Sequence, residues 1–311
     1  MMPHGWLILD KPRGLGSTQA VGAVKRVLRE AGYGKVKVGH GGTLDPLAEG
    51  VLPIALGEAT KLAGRMLEAD KIYAFTVQFG EETDTLDTEG PVIATSDVRP
   101  TLAALEAALP RFTGPIEQVP PKYSALKVDG KRAYDLARAG ETVELETRAV
   151  TVHSLRSDRS DTPHDPGQPL NSITLVAHVS KGTYIRSLAR DIAQALGTCG
   201  HVTYLRRVKA GPFREEQAIS LDRLNEISKG APLEDHLLPL EAGLDGIPAL
   251  TLDPESAQAV RQGRIISGLP HPDGLHLAKL AQVPVALMEL SGGTATVVRG
   301  LNLTDTAEQK T

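Results

Sequence analysis

The first clear hydrophobic pattern in the chain is a helical one. Apolar residues recur at i, i+3 and i+4 spacing after Ser17, and the pattern stops near Gly32. Serine favours the N-cap position, so the pattern predicts a helix that begins at Ser17. The same kind of spacing predicts further helices over 58–69, 101–110, 131–138, 254–262 and from about Thr183 to Gly197.

Other segments alternate apolar and polar residues, which is the spacing of a half-buried strand. The clearest runs from Tyr73 to Phe79 and places Tyr73 on the apolar face. Shorter runs predict strands over 6–9, 122–128, 148–156, 171–179, 275–280, 283–290 and 294–299. Strands and helices mix without a strict β-α-β rhythm, which indicates an α+β fold with a mixed, largely antiparallel sheet flanked by helices.

Turn-forming residues divide the chain unequally. At 311 residues it exceeds the usual size of one domain. Glycine and proline cluster between Gly243 and Pro248, and the last block of short strands follows them. We therefore expect one large domain over 1–240 and a small β-rich domain over 248–311. The polar segment from Ser157 to Asn171 is expected to be a hairpin connection within the large domain.

Composition narrows the class of protein. The single cysteine, Cys199, excludes an intramolecular disulfide and any Cys-x-x-Cys metal pair, which favours a reducing compartment. No apolar stretch is long enough to span a membrane, and no Gly-x-x-x-x-Gly-Lys-Ser/Thr or Gly-x-Gly-x-x-Gly motif is present. The sequence predicts a cytoplasmic protein without membrane contact, and it disfavours thiolate-bound structural zinc, an NTPase and a dinucleotide site.

Charge is segregated along the chain although the formal net charge is only −4. Residues 81–90 hold acids and no base, whereas residues 1–38 and 181–214 are strongly basic. Such segregation suits a groove for phosphates on an acidic body, and solvated helix faces are the alternative interpretation. The side chains expected to meet phosphates are drawn from Lys181, Arg190, Arg206, Arg207 and Lys209.

The segment from Gly39 to Ile54 concentrates candidate chemistry in a glycine-rich loop between two apolar stretches. It contains His40 and Asp45, and its glycines allow a close approach by another chain. Pro46 suits the first position of a helix, so Asp45 could be an N-cap residue. A carboxylate presented to a ligand is the other interpretation, and this loop alone does not decide between them.

The loop closely resembles the Gly-His-x-Gly-x-Leu-Asp-Pro-x-Ala-x-Gly-x-Leu-Pro signature of the TruB-type tRNA pseudouridine synthases. The resemblance extends from about residue 6 to about residue 240. Further matching motifs are Leu9–Gly14, Lys71–Tyr73, Pro121–Lys127, Ser180–Arg186 and Gly200–Arg207. Because several motifs match at similar spacing, chance similarity of a single loop does not explain the resemblance.

The resemblance implies roles for six residues. Asp45 matches the catalytic aspartate, and Arg186 matches an arginine that pairs with it. Tyr73 matches a tyrosine that stacks on uracil and is a candidate base for the C5 proton. Tyr184 and Leu205 match residues that line the pocket. His40 matches a histidine that fills the space left in the T loop when bases are extruded.

The resemblance also implies an activity and a partner. The chain is expected to isomerise uridine 55 in the T stem-loop of tRNA to pseudouridine as a monomer. It is expected to need no cofactor, no metal and no obligate protein partner. The segment 248–311 is expected to resemble a PUA domain, an RNA-binding module. Two alternatives stay open at this point: an RNA-binding or tRNA-folding module in which catalysis is secondary, and a guide-RNA-dependent enzyme that acts on ribosomal RNA.

Overall fold

Two sheets organise the chain. The computed structural model describes residues 2–124, 126–128, 131–140, 145–158, 160 and 165–303. The helices are α1 (Ser17–Glu30), α2 (Ala63–Glu68), α3 (Leu102–Ala108), α4 (Ala133–Arg138), α5 (Ile185–Ala195), α6 (Leu221–Ile227) and α7 (Pro254–Arg261). Short 3-10 helices lie at Gly57–Leu62, Leu109–Phe112, Glu215–Gln217, Leu233–His236 and Leu240–Gly243.

The strands run through the whole chain. They are β1 (Gly5–Lys11), β2 (Val38–His40), β3 (Glu49–Leu56), β4 (Lys71–Phe79), β5 (Glu81–Thr83), β6 (Val92–Thr95), β7 (Gly114–Gln118), β8 (Lys127–Val128), β9 (Lys131–Arg132), β10 (Arg148–Ser157), β11 (Ser172–Val179), β12 (Gly200–Ala210), β13 (Phe213–Arg214), β14 (Leu237–Leu238), β15 (Ala249–Leu252), β16 (Ile266–Ser267), β17 (Gly274–Leu280), β18 (Val283–Ser291) and β19 (Thr294–Gly300).

The large sheet has the strand order β14-β1-β3-β12-β4-β11-β10-β7, with β2 added to β3 and β13 to β12. All its pairs are antiparallel except β3 with β12, which are parallel. Its main apolar face is covered by α1, α5 and α6, whose buried residues include Val24, Leu188 and Leu224. The predicted α+β fold with a mixed, largely antiparallel sheet and flanking helices is confirmed.

The small sheet has the order β15-β17-β18-β19-β16 and packs against α7 around Leu250, Val260 and Met288. A separate apolar cluster joins the two sheets, because Leu277 and Leu287 pack with Trp6 from the large sheet. The predicted β-rich C-terminal domain is therefore present and is attached through buried apolar surface. Its residues 304–311 lie outside the described part of the chain.

Most predicted elements are found close to their expected bounds. The alternating pattern from Tyr73 predicted β4, and the structure shows Phe75, Val77 and Phe79 fully or almost fully buried. The segment 157–171 connects β10 to its antiparallel neighbour β11, as expected for a hairpin, although residues 159 and 161–164 are outside the description.

Several local predictions were wrong. The segment 58–69 begins as a 3-10 helix and becomes α-helical only at Ala63, and Leu67 from the expected apolar face is exposed. Within 122–128 only β8 is a strand among the described residues. Gly16, not Ser17, is the N-cap of α1, because the Ser17 hydroxyl is used elsewhere.

No helix in the described part of the chain combines the length and the apolar character needed to cross a membrane.

Candidate active site

Asp45 lies in the loop between β2 and β3, and this loop is held by hydrogen bonds from three sides. The Ser17 hydroxyl donates to Leu44 O at 2.9 Å and accepts from Leu44 N at 2.8 Å. Lys11 Nζ donates to Pro46 O at 3.4 Å from inside the protein. Because both neighbours of Asp45 are fixed through their backbones, the position of its carboxyl group is restricted.

Arg207 holds the same loop from the third side. Its guanidinium donates to Gly42 O at 3.1 Å, to Thr43 O at 3.3 Å and to Val51 O at 2.8 Å. The side chain is 1% exposed, so it cannot meet a phosphate. The expectation that Arg207 belongs to a phosphate-binding cluster is therefore wrong; sequence proximity to other basic residues concealed a structural arginine.

The loop at Asp45 forms a turn rather than a helix. Ala48 N donates to Asp45 O at 3.0 Å, and no helix follows Pro46. The interpretation of Asp45 as a helix N-cap is wrong for this reason. Its side chain is 39% exposed and points instead to Arg186, whose Nη2 lies 2.8 Å from Asp45 Oδ2.

Arg186 lies at the start of α5 and connects two carboxylates. Its Nη1 is 3.3 Å from Asp87 Oδ2, and the side-chain exposures of Arg186 and Asp87 are 6% and 1%. Backbone oxygens complete the set: Nη1 donates to Thr85 O at 3.0 Å and Nη2 to Tyr123 O at 2.9 Å. A guanidinium fixed by this many acceptors holds an ionised carboxylate in one orientation.

Asp87 is a site residue that the sequence did not single out. The turn after β5 is folded around it: Thr85 Oγ1 donates to Asp87 Oδ1 at 2.5 Å, and Glu89 N donates to the same atom at 2.9 Å. Leu86 adopts a φ of 62°, a conformation that L-residues disfavour, directly before Asp87. The signal available in the sequence was the acidic run 81–90, in which one carboxylate is buried.

Five of the six predicted residues, all except His40, converge on one cavity of about 170 Å³. Asp45 and Arg186 form its polar part. Tyr73 from β4, Tyr184 at the N-cap of α5 and the buried Leu205 from β12 form much of its apolar part. Because β12 pairs with both β3 and β4, the sheet brings these distant segments together. Two rings and a leucine beside a fixed carboxylate can hold a flat, partly polar ring.

Tyr184 is positioned by a buried amide. Gln118 Oε1 accepts from Tyr184 N at 3.0 Å, and Gln118 Nε2 donates to Tyr184 O at 3.3 Å. Burial raises the pKa of the Tyr184 hydroxyl, and the charge of Asp45 acts in the same direction. The phenol therefore stays protonated at neutral pH and can donate a hydrogen bond.

His40 is not among the residues that line this cavity. It lies at the end of β2, opposite Ile54 of β3. Burial, and then the charge of Arg207, lowers the pKa of His40, so its ring is neutral near pH 7. Its buried Nδ1 has no hydrogen-bond partner among the described residues.

The remaining basic side chains of 181–214 are also largely engaged. Arg206 pairs with Asp10 at 3.1 Å, with Glu49 at 3.3 Å and with Glu215. Arg190 is paired with Asp191, and Lys181 with Glu68.

A second basic surface lies elsewhere: a groove of about 620 Å³ lined by Lys25, Lys35 and Lys37. The N-terminal basic segment therefore supplies more accessible charge than Arg206 or Arg207.

Models of known protein families match most of the chain. The chain matches the model of the "TruB family pseudouridylate synthase (N terminal domain)" over residues 25–185 and that of the "tRNA pseudouridylate synthase B C-terminal domain" over 186–245. It is similar to tRNA pseudouridine synthase B of Novosphingobium aromaticivorans, with 68% identity over 99% of this chain and 100% of the relative. The protein of that name from Zymomonas mobilis is 58% identical over 96% of each chain.

Solved structures show the same fold. An H/ACA RNP bound to a substrate RNA containing 2′-deoxyuridine matches with a TM-score of 0.69 and 24% identity, over 97% of this chain and 86% of the other. A Cbf5-Nop10-Gar1 complex matches with a TM-score of 0.68 over 97% and 84%. The fold and the family matches together define a pseudouridine synthase, an enzyme of the isomerase class. The chain belongs to the TruB family of pseudouridylate synthases.

Proposed function

We propose that the chain converts uridine 55 in the T loop of tRNA to pseudouridine, with Asp45 as the catalytic carboxylate. The observation that carries the proposal is the 2.8 Å pair between Asp45 and Arg186 at a cavity walled by Tyr73, Tyr184 and Leu205. The relatives named tRNA pseudouridine synthase B support tRNA as the substrate class.

The reaction conserves every atom of the substrate. The N1–C1′ bond breaks, the detached uracil rotates, C5 bonds to C1′, and the C5 proton leaves while N1 regains a proton. Asp45 acts at the sugar, where C1′ becomes electron-poor, either by attack on C1′ or by assisting removal of a sugar proton. Arg186 orients the Asp45 carboxylate for either path through their 2.8 Å ion pair.

The cavity walls retain the detached base. Tyr73 stacks on the uracil, and its phenolic oxygen is the proposed acceptor of the C5 proton, with the proton of its hydroxyl released as the new O–H bond forms. Tyr184 and Leu205 close the pocket, which limits diffusion of uracil and entry of water. Uridine must leave its stack to reach Asp45, at a cost of a few kcal/mol. The ring of His40 offsets part of this cost by filling the vacated space in the T loop.

We assign residues 1–240 to catalysis and 248–311 to RNA binding, and propose that the enzyme acts as a monomer without an obligate protein partner. The strands of the two sheets fall on either side of this division. The basic groove at Lys25, Lys35 and Lys37 supports contact with tRNA phosphates.

Asp45→Asn tests the proposal, because it keeps the shape of the side chain and removes its charge. Tritium release from C5-labelled uridine in tRNA should be nearly abolished, while the melting temperature and tRNA affinity change little. Retained turnover would refute a catalytic carboxylate at this position. Asp165→Asn, at an exposed loop, is the matched control and should keep full activity.

Mapping pseudouridine in RNA from cells that lack the protein separates the substrate alternatives. Loss of one site in the T loop of most tRNAs is expected. Loss confined to ribosomal RNA would support the guide-dependent alternative, and no loss with slowed tRNA folding would support the RNA-folding module.

A further inference from the structure

Two histidines and an aspartate meet on the large sheet at Asp70, His153 and His178. Asp70 Oδ2 lies 3.1 Å from His153 Nε2 and 3.8 Å from His178 Nε2. One potential ligand atom from each residue lies within 4.8 Å of the other two. The imidazole rings of His153 and His178 are 4.7 Å apart between centroids.

This cluster is on the opposite face of the sheet from the Asp45 cavity. Tyr73, which lines the cavity, pairs with Ala177 across β4 and β11. Successive side chains of a strand point to opposite faces, so His178 projects away from the cavity. The cluster therefore has no part in the chemistry proposed for Asp45.

The three side chains come from separate segments whose backbones are fixed. The register of β10 against β11 shifts between Val152 and Ser154, which leaves His153 as the extra residue of a β-bulge. A bulge re-aims a side chain, and here it places His153 beside Asp70. Gly211 N donates to Asp70 O at 2.9 Å and holds the residue before β4.

We propose that Asp70, His153 and His178 bind a divalent cation of the zinc type. Two imidazole nitrogens and one carboxylate oxygen are donors that Zn²⁺ accepts, and three protein ligands leave a position open to solvent. Side-chain exposures of 48%, 37% and 34% allow the ion to enter from solution. The sheet supplies the ligands already gathered, so little ordering is required on binding.

Charges near the three side chains both favour and oppose the binding of a cation. Burial and the neighbouring charges of His153 and Lys209 lower the pKa of His178, whereas the charge of Asp70 raises it. The positive charge of Lys209 also opposes a cation. The competing interpretation is an ordinary surface ion pair in which Asp70 accepts from protonated histidines, and it requires no metal.

Titration of the untagged full-length chain with Zn²⁺ alone decides between them. The protein is first freed of metal with a chelator, and heat release and Co²⁺ visible absorption are then followed. One saturating equivalent is expected. His153→Gln and His178→Gln should each weaken the affinity by about tenfold or more, since even loss of an outer-shell partner costs about 10–100-fold.

His271→Gln is the matched control, because it removes an exposed histidine from the C-terminal part of the chain and should leave the affinity unchanged. Circular dichroism of His153→Gln checks that the exposed substitution leaves the fold intact. The absence of saturable one-to-one binding, or wild-type affinity in both histidine variants, would overturn the proposal. Binding that survives them and is lost in Cys199→Ser would overturn it by assigning the ion to the thiol.

Discussion

Asp87→Asn is the sharpest test of the ion-pair arrangement around Asp45. The substitution keeps the volume of the side chain and one oxygen, but removes the charge that faces Arg186 at 3.3 Å. Arg186 then keeps a single carboxylate partner, Asp45, at 2.8 Å. We expect the guanidinium to shift toward Asp45 and to leave its backbone acceptors Thr85 O and Tyr123 O.

The magnitude follows from burial. Removing one partner of a buried ion pair lowers the free energy of unfolding by about 3–5 kcal/mol. Because the isosteric asparagine retains hydrogen bonding, we expect the lower end of this range, about 3 kcal/mol. A domain stability of about 5–15 kcal/mol leaves the variant folded. A displacement of about 1 Å in the groups that orient Asp45 lowers the rate of chemistry by about 100-fold.

Single-turnover tritium release at saturating tRNA measures the rate, and urea denaturation measures the free energy of unfolding. The rate constant should fall while the tRNA concentration for half-maximal rate stays nearly constant, because Asp87 is buried and does not reach RNA. Glu81→Gln, an exposed carboxylate in the same acidic run, is the matched control and should change neither quantity. A wild-type rate in a destabilised Asp87→Asn protein would show that Asp87 only supports the fold.

Two further predictions concern β4. Tyr73→Phe keeps the ring that packs and stacks but removes the hydroxyl, so tRNA binding should survive and product formation should collapse; a wild-type rate would assign C5 proton removal to another group. Burial lowers the pKa of Lys71 to about 8 from 10.5, so between these values the folded chain has lost a proton that the unfolded chain keeps. The free energy of unfolding of the wild type, measured by urea denaturation, should therefore rise relative to that of Lys71→Met between about pH 8 and about pH 10. A difference between the two proteins that does not change with pH would contradict the reasoning.

The spacing of apolar residues along the chain predicted the helices and strands that bury one apolar face. β4 and α1 were recognisable because alternation or i, i+4 spacing marks the side that enters the core. The turn at Asp45 was not recognisable, since Asp-Pro also begins helices. What fixes this turn is a set of hydrogen bonds from Ser17, Lys11 and Arg207, and sequence spacing does not encode these contacts.

The candidate site divides in the same way. Tyr73, Tyr184 and Leu205 were predicted as pocket residues because each lies in a motif that could be matched to the family. Asp87 could not be separated from its acidic neighbours, because burial against Arg186 depends on how α5 packs over the sheet. The same limitation made Arg207 look like an RNA contact. A charge run in a sequence therefore does not distinguish a buried partner from a solvated side chain.

The C-terminal sheet is attached too firmly for deletion to test its role. Leu277 and Leu287 pack against Trp6, and Lys279 Nζ lies 3.1 Å from Glu241 Oε1. Asn302 N also donates to Glu58 Oε2 at 2.7 Å. Truncation near Gly246 would expose this apolar surface and destabilise the large sheet, so a loss of activity would not reveal an RNA-binding role.

Charge reversal at exposed arginines of α7, of the segment after α7 and of β19 avoids that problem. Arg261, Arg264 and Arg299 are exposed, so replacement by glutamate leaves the apolar junction intact. If residues 248–311 bind tRNA, the triple variant should raise the tRNA concentration for half-maximal rate and flatten its salt dependence, by about 0.7–0.9 in log–log slope for each phosphate that the protein no longer neutralises. Single-turnover chemistry at saturating tRNA should persist. Arg111→Glu, exposed at the far side of the large sheet, is the control; equal salt slopes in wild type and triple variant would show that these residues bind no RNA.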